Sequence, residues 1–341
     1  PLLTGYDRAR FEVYAYSTAE EPDEVTAALR SHVTVWRDLG AAVPEDIAAR
    51  IHADAVDILV DLAGHAAGGA LPVLARRPAP IQMMGLGYTA TSGLSTVDYF
   101  LTDAACDPVG GASEAYFTEK LIRLPSQFVY VPRAGLPVST GAPVKRSGHI
   151  LFGVFNQYRK FTDEMLLLWR EILERVPQAQ LLLKSQIFFA PAMAEAARAR
   201  LTRLGFDLAR VILEPATTDY MERYLDVDIA LDTYPWPGGG TTCDALYMGV
   251  PVVTMYAARR STRFSYALLT HVGLDECAVQ TPEDYAACAV ALAHDTDMLD
   301  QLHKRLRGKM EKSSVMDQTG YMRALERAYE DVLHLDAEER R

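Results

Sequence analysis

The residues best suited to chemistry cluster between positions 228 and 255, DIALDTYPWPGGGTTCDALYMGVPVVTM. The stretch reads as a strand, a glycine-rich turn, a short helix and a second strand. Its apolar run 228–232 ends in a carboxylate, as expected of a buried parallel strand. Two prolines and a glycine run then force a turn. Thr241 and Thr242 stand where a helix would begin, and Gly249 with Pro251 stops it. A helix start presents unpaired N–H groups and the positive end of the peptide dipole, which suits a diphosphate. Gly239 and Gly240 let such a ligand approach the backbone closely. Asp244, just inside the helix, offers acceptor oxygens to ribose hydroxyls. The competing reading is an ordinary strand-to-helix turn whose threonines cap the helix, and spacing alone leaves both open.

Further candidates follow other strands. In FNQYRK, Lys160 could neutralise a phosphate and Gln157 could hydrogen-bond one; a solvated lysine beside a helix start is the plainer alternative. His65 follows VDILVDL and so sits at a strand's C-terminal end, although a lone histidine is more often structural. The loop LGYTATSG, which begins at Leu86 and Gly87, offers backbone donors to a sugar or phosphate, or is a plain turn. Asp226 and Asp228 match the bare DxD pattern of metal-dependent sugar transferases. Asp228 should instead cap the buried strand, and no metal site is expected.

These groups need a scaffold, and composition bounds it. With 341 residues, 49% of them hydrophobic, the chain is long enough for two domains. No apolar run approaches the roughly 20 residues that span a bilayer. A net charge of −11 argues against nucleic acid and against a polybasic membrane surface. Cys106, Cys243, Cys277 and Cys288 form no metal-like cluster and fit a reducing, cytoplasmic compartment. The opening PLLTGYDRARFEVYAYS carries no secretory signal. It resembles the end of a helix ahead of a strand, so an upstream part is expected.

The pattern along the chain alternates strand and helix. Strands are predicted at 11–16, 33–36, 56–62, 81–84 and 97–101, with helices at 22–30, 44–53 and 71–75. The proline- and glycine-rich stretch 131–148 reads as an interdomain linker. Strands then follow at 149–155, 180–184 and 211–214, and helices at 162–175, 191–204 and 219–224. Helices dominate after 255, at 262–271, 282–294, 298–309 and 319–335. The predicted fold class is α/β, with two doubly wound domains, a first lobe at 1–131 and a second at 149–341, and the ligand at the strand ends.

Several ordered motifs resemble one family: VDILVDLAGHAAG, RRPAPIQMMGLGYTATSG, VDYFLTDAACDP, FGVFNQYRKFT, LLLWREILERVPQAQLLLK, the 228–255 stretch and SYALLTHVGLDE. Together they are similar to the catalytic region of the O-linked N-acetylglucosamine transferase family, glycosyltransferase family 41, with its Spindly-type relatives. The resemblance covers nearly the whole chain. It implies a GT-B fold, two Rossmann-like lobes with parallel sheets facing a nucleotide-sugar cleft, and no metal or other cofactor. It implies a UDP-GlcNAc donor and Ser/Thr hydroxyls of acceptor proteins or peptides. Tetratricopeptide repeats and the first strand of the first lobe are expected upstream.

Residue by residue, Lys160 resembles the family lysine that stabilises the leaving diphosphate, and Gln157 its neighbouring phosphate ligand. Gly240, Thr241 and Thr242 resemble the diphosphate loop, Asp244 the ribose carboxylate, Leu86 and Gly87 the loop touching the donor sugar, and Arg223 a basic residue near the nucleotide. The chain also departs from the family. A base-packing histidine appears as Tyr220, an upstream lysine as Thr217, and the proline of LGYPGTSG as Thr89. These departures keep GDP-fucose open as an alternative donor; a non-catalytic binding or scaffold module, its chemistry lost with the expected upstream part, is an alternative role. The implied mechanism is a single displacement with inversion, with His65 a candidate for the acceptor's proton by position only.

Overall fold

Short apolar runs separated by proline, glycine and capping residues set the elements of this computed structural model, which describes residues 1–18, 21–40, 42–66 and 68–339. Two units result, Pro1–Val129 with Asp317–Arg341, and Tyr130–Met316.

The first unit contains β1 (Tyr14–Ser17), α1 (Glu24–Arg30), β2 (Val35–Asp38), α2 (Pro44–Ala53), β3 (Ile58–Asp61), α3 (Leu71–Leu74), β4 (Ile81–Gly85), β5 (Tyr99–Asp103) and β6 (Lys120–Leu124). Asp23 starts α1 by accepting the Thr26 N–H at 2.8 Å, and Pro44 opens α2, where its missing N–H costs nothing. Strands β3 to β6 form a parallel sheet in sequence order, and β1 pairs with β2. A cavity of about 1040 Å³ lies in this unit, with Ala15 of β1 and Val60 of β3 among its walls. The terminal helix, Gln318–Glu339, buries Tyr321, Met322, Leu325 and Val332 against Ile81, Met83, Leu101 and Leu124.

That helix departs from the expected division, which put everything from 149 to 341 in one lobe. Its apolar stripe finds the first unit's sheet instead. The predicted linker 132–148 also belongs to the second unit, where it is strapped down. Ala142 N–H donates to Asp300 at 3.0 Å, Val144 N–H to Asp228 at 2.7 Å, and Arg307 binds the Pro137 carbonyl at 3.0 Å. Strand β6 departs from the sequence expectation, because KLIRL mixes charge into a short run and hides the strand pattern.

The second unit runs through α4 (Val144–Ser147), β7 (Leu151–Val154), α5 (Asp163–Arg175), β8 (Gln180–Lys184), α6 (Pro191–Arg203), β9 (Val211–Glu214), α7 (Tyr220–Arg223), β10 (Ile229–Leu231), α8 (Gly240–Tyr247), β11 (Val252–Met255), α9 (Phe264–Val272), β12 (Ala278–Val279), α10 (Pro282–His294) and α11 (Thr296–Glu311). Thr162 caps α5, whose Met165, Trp169 and Ile172 face the core beside Phe152 and Leu181. All six strands are parallel, in the order β12-β11-β10-β7-β8-β9. The chain winds outward from β7 to β9, then returns to the other side of β7 at β10. The order therefore reverses between β7 and β10, the place where open parallel sheets of this kind bind ligands. Among the described residues no helix is long and apolar enough to cross a membrane.

One buried pair in this unit makes stability depend on pH. His303 Nε2 donates to the Asp228 carbonyl at 2.8 Å. Burial lowers the His303 imidazole to about 4 and raises the Asp228 carboxyl to about 6. The lowered histidine adds stability that is complete above about 6.5 and lost as pH falls toward 4. The raised carboxyl acts oppositely, its contribution being present at low pH and lost as pH rises through about 6. The two offset each other on acidification. His303→Gln, which can keep the hydrogen bond, is expected to leave the variant about 2 kcal/mol better off relative to wild type at pH 5 than at pH 7. Thermal melting at both pH values checks this, and parallel shifts of the two proteins would refute it.

Candidate active site

The C-terminal ends of β7 and β10 bring the FNQYRK and PGGGTT segments together. Asn156, just past β7, is buried and donates through Nδ2 to Asp232 at 3.0 Å and to Thr233 Oγ1 at 2.5 Å. Its Oδ1 accepts the Thr241 hydroxyl at 3.1 Å. Lys160 follows in a short 3-10 turn and donates from Nζ to the Pro237 carbonyl at 2.9 Å. Burial, the larger effect, holds its ammonium below the ordinary lysine value; Asp232 pulls it up and Arg159 pushes it down. A partly desolvated cation facing a neutral carbonyl gains by meeting an anion.

The helix start is open in the way a phosphate cradle needs. Gly239 is the N-cap of α8 and supplies no side-chain cap. The threonines do not cap it either: Thr241 bonds Asn156, and buried Thr242 shares a 2.8 Å hydrogen bond with Ser265. That removes the plain-capping reading. Thr242 can therefore offer a ligand its N–H but not its hydroxyl. A Cβ on Gly240 would meet open space, whereas one on Gly238 would come within 2.4 Å of Thr242 Oγ1.

Asp244 lies one turn into α8, and each of its carboxylate oxygens accepts a tyrosine hydroxyl, Tyr130 at 2.7 Å and Tyr220 at 2.8 Å. Burial raises the Asp244 carboxyl while the two hydroxyls pull it down, and the balance is a raised value. Burial and the carboxylate together push Tyr220 up to about 12. Tyr220, expected to stack on a base, has its hydroxyl anchored on Asp244. Arg223, expected near the nucleotide, spends its guanidinium on Glu214 at 2.8 Å and Asp226 at 2.9 Å. Gln157 is exposed beside Lys160. The remaining DxD pattern falls apart: Asp226 is exposed on Arg223, whereas buried Asp228 accepts the Leu151 N–H at 2.9 Å.

In the first unit, His65, Leu86 and Gly87 come together. His65 is exposed, its Nε2 lies 3.1 Å from the Thr91 carbonyl, and its ring lies 5.0 Å from Tyr88. Leu86 holds φ at 68°, uncommon for a residue with a side chain and a mark of a constrained loop. A Cβ at Gly87 would come within 1.9 Å of the Leu62 carbonyl, so only glycine fits there. Glu119 anchors the loop by accepting the Ser92 N–H and the Thr91 hydroxyl, both at 2.7 Å.

Two groups at this site lie outside the sequence expectations. Asn156 and Asp232 were within reach, since one sits inside FNQYRK and the other ends an apolar run. Tyr130 gave no local signal, because its partner is 114 residues away. Among the described residues no cluster of three His, Cys, Asp or Glu could hold a metal ion.

A family model described as Glycosyl transferase family 41 matches residues 3–134 and 141–325. The chain belongs to this family. A Hordeum vulgare relative named "Probable UDP-N-acetylglucosamine--peptide N-acetylglucosaminyltransferase SPINDLY" is 36% identical over 340 residues, covering 97% of this chain and 36% of its own length. An Arabidopsis thaliana relative of the same name but for its ending, SEC, is 28% identical over 337 residues, covering 95% and 34%. A mutant of the Thermobaculum terrenum O-GlcNAc transferase superposes with a TM-score of 0.92 at 33% identity, over 100% of this chain and 65% of that one. The family 41 chain thus spans about a third of the length of these curated relatives. Its fold is of the GT-B class. An Anabaena protein, HepE, solved with UDP and glucose, shares the fold alone, at a TM-score of 0.58 and 14% identity.

Proposed function

We propose that this family 41 chain is the catalytic part of a metal-independent, inverting transferase that moves N-acetylglucosamine from UDP-GlcNAc to Ser/Thr hydroxyls of proteins. The observation that carries this is a desolvated Lys160 beside an uncapped helix start, with Asp244 one turn on, at the β7/β10 reversal. Lys160 and the amides after Gly239 take the diphosphate. Asp244 takes the ribose. In the reaction the acceptor oxygen bonds to the anomeric carbon while the bond to the diphosphate breaks, its electron pair staying with the departing phosphate. Positive groups fixed at that phosphate gain most as the charge grows, and so lower the barrier rather than merely tighten binding. Gln157 supports the phosphate, Leu86 and Gly87 contact the sugar, and His65 is assigned the acceptor's proton.

The relatives' printed names support the GlcNAc donor. Tyr220 favours a second reading, transfer of fucose from GDP-fucose, because it replaces the family histidine at the base and is tied to Asp244. Titration calorimetry with UDP, GDP and their sugars separates the two: UDP binding tighter than GDP supports the first, and the reverse order supports the second. Binding of neither would overturn both.

Because Lys160 and backbone amides supply the positive charge, EDTA is expected to leave donor turnover unchanged. Turnover lost to EDTA and restored by Mn²⁺ would refute metal independence. We place the protein in the cytoplasm, in keeping with its free thiols at Cys106, Cys243, Cys277 and Cys288. Upstream tetratricopeptide repeats are proposed for the full-length protein.

A further inference from the structure

Asp232 is a buried carboxylate that the proposed chemistry does not use. It is 3% exposed and takes four hydrogen bonds. Oδ1 accepts from Gly238 N–H at 2.7 Å, Thr233 N–H at 2.9 Å and Asn156 Nδ2 at 3.0 Å, and Oδ2 accepts from Thr254 Oγ1 at 2.8 Å. Burying a carboxylate is costly unless donors are fixed around it, so this cluster holds its geometry strongly.

Two of these contacts bear on the same peptide unit. The carbonyl of Pro237 and the N–H of Gly238 belong to one planar trans amide, so holding the N–H on one side aims the carbonyl to the other. Asp232 holds the N–H, and the carbonyl meets Lys160 Nζ at 2.9 Å. Ser265 fixes the next carbonyl, that of Gly238, at 3.0 Å. Through Asn156 the same carboxylate also orients the Thr241 hydroxyl at the helix start.

We propose that Asp232 is a positioning residue for Lys160 and the glycine turn: it holds the Pro237-Gly238 peptide as the resting partner of Lys160, which a diphosphate displaces. The proposal rests on the diphosphate reading above. A phosphate oxygen offers the Lys160 ammonium a full opposite charge that the neutral carbonyl lacks, so the exchange runs toward the ligand. The peptide does not swing when Lys160 leaves, because Asp232 still holds its other end. The turn amides therefore keep their aim at the diphosphate without reorganising. Of the charged groups acting on Lys160, Asp232 favours its ammonium form and Arg159 opposes it.

The test uses acetic anhydride labelling of Lys160, read by peptide mapping, and hydrogen exchange at the Gly238 amide, with UDP and GDP as probes. In the wild type the bound nucleotide should slow Lys160 acetylation several-fold while Gly238 stays protected with and without it. Asp232→Asn should speed Lys160 acetylation in the empty protein several-fold, since losing the negative charge leaves more of the lysine as reactive amine. It should also lower kcat more than it raises KM. Thr254→Val, which removes one donor but keeps the carboxylate and its bond to Gly238, should do neither. Equal effects of the two variants would make Asp232 a packing residue and overturn the proposal. So would a wild-type Gly238 amide exchanging as fast as exposed loop amides, a result that decides the matter even if Asp232→Asn fails to fold. Failure of both nucleotides to protect Lys160 would strike the diphosphate reading itself, whatever Gly238 does.

Discussion

Lys160→Ala is expected to lower kcat by about 10²–10³-fold while weakening UDP only modestly. The ammonium is a point charge, partly desolvated, held on a neutral carbonyl until something more negative arrives. On the proposed diphosphate reading, bound substrate would already share its charge among the amides of α8. What Lys160 adds is greatest when the bond to the sugar breaks and a further unit of charge lands on the leaving oxygen. The loss therefore belongs in kcat rather than in ground-state binding. Lys160→Arg should recover little, because the broad guanidinium fork cannot occupy the same point beside Pro237. Steady-state kinetics of transfer, paired with UDP calorimetry, checks both variants. A kcat near the wild-type value would move the electrostatic role entirely to the helix start.

Asp244→Asn is expected to weaken UDP, UDP-sugars and GDP together, by about 1.5–3 kcal/mol, the worth of a charge-assisted hydrogen bond. The carboxylate is aimed by two phenols, one on each oxygen. An amide in its place keeps the shape but sets its NH₂ group against one of the two tyrosine O–H donors. Tyr220→Phe separates aiming from stacking. If the hydroxyl aims Asp244, this variant weakens every nucleotide by a common factor and leaves the UDP:GDP ratio unchanged. A ratio that shifts in Tyr220→Phe would show that the phenol reads the base. The raised Asp244 carboxyl adds a pH signature. The acceptor form is lost as pH falls through that raised value, so nucleotide affinity should drop at a higher pH than an ordinary carboxylate would dictate. An affinity flat down to pH 4 would count against the ribose assignment.

The one-dimensional order of residues already determined the local parts of this protein. Pro235, Pro237 and the glycines at 238–240 cannot continue a strand, so the turn before α8 was legible from sterics alone. The 3.6-residue spacing of Met165, Trp169 and Ile172 likewise announced a helix with one buried face. Family resemblance added roles for Lys160 and Asp244 because those positions lie inside motifs that can be aligned. Other features depended on which edge meets which. The terminal helix has an apolar stripe that would suit either unit, and only the packing of Tyr321 and Leu325 on Ile81 and Leu101 assigns it to the first. The 131–148 stretch looks like a free linker by composition, yet the Asp228 and Asp300 carboxylates and the Arg307 guanidinium, far along the chain, take its backbone groups as partners. Tyr130 reaches Asp244 across 114 residues, and Asn156 reaches Asp232 across 76. The second pairing follows from the return of the chain to the far side of β7 at β10, a crossover set by the whole sheet. Local sterics and periodicity decide the elements, whereas the polar contacts that tune a site are made only once distant strand ends have been brought side by side.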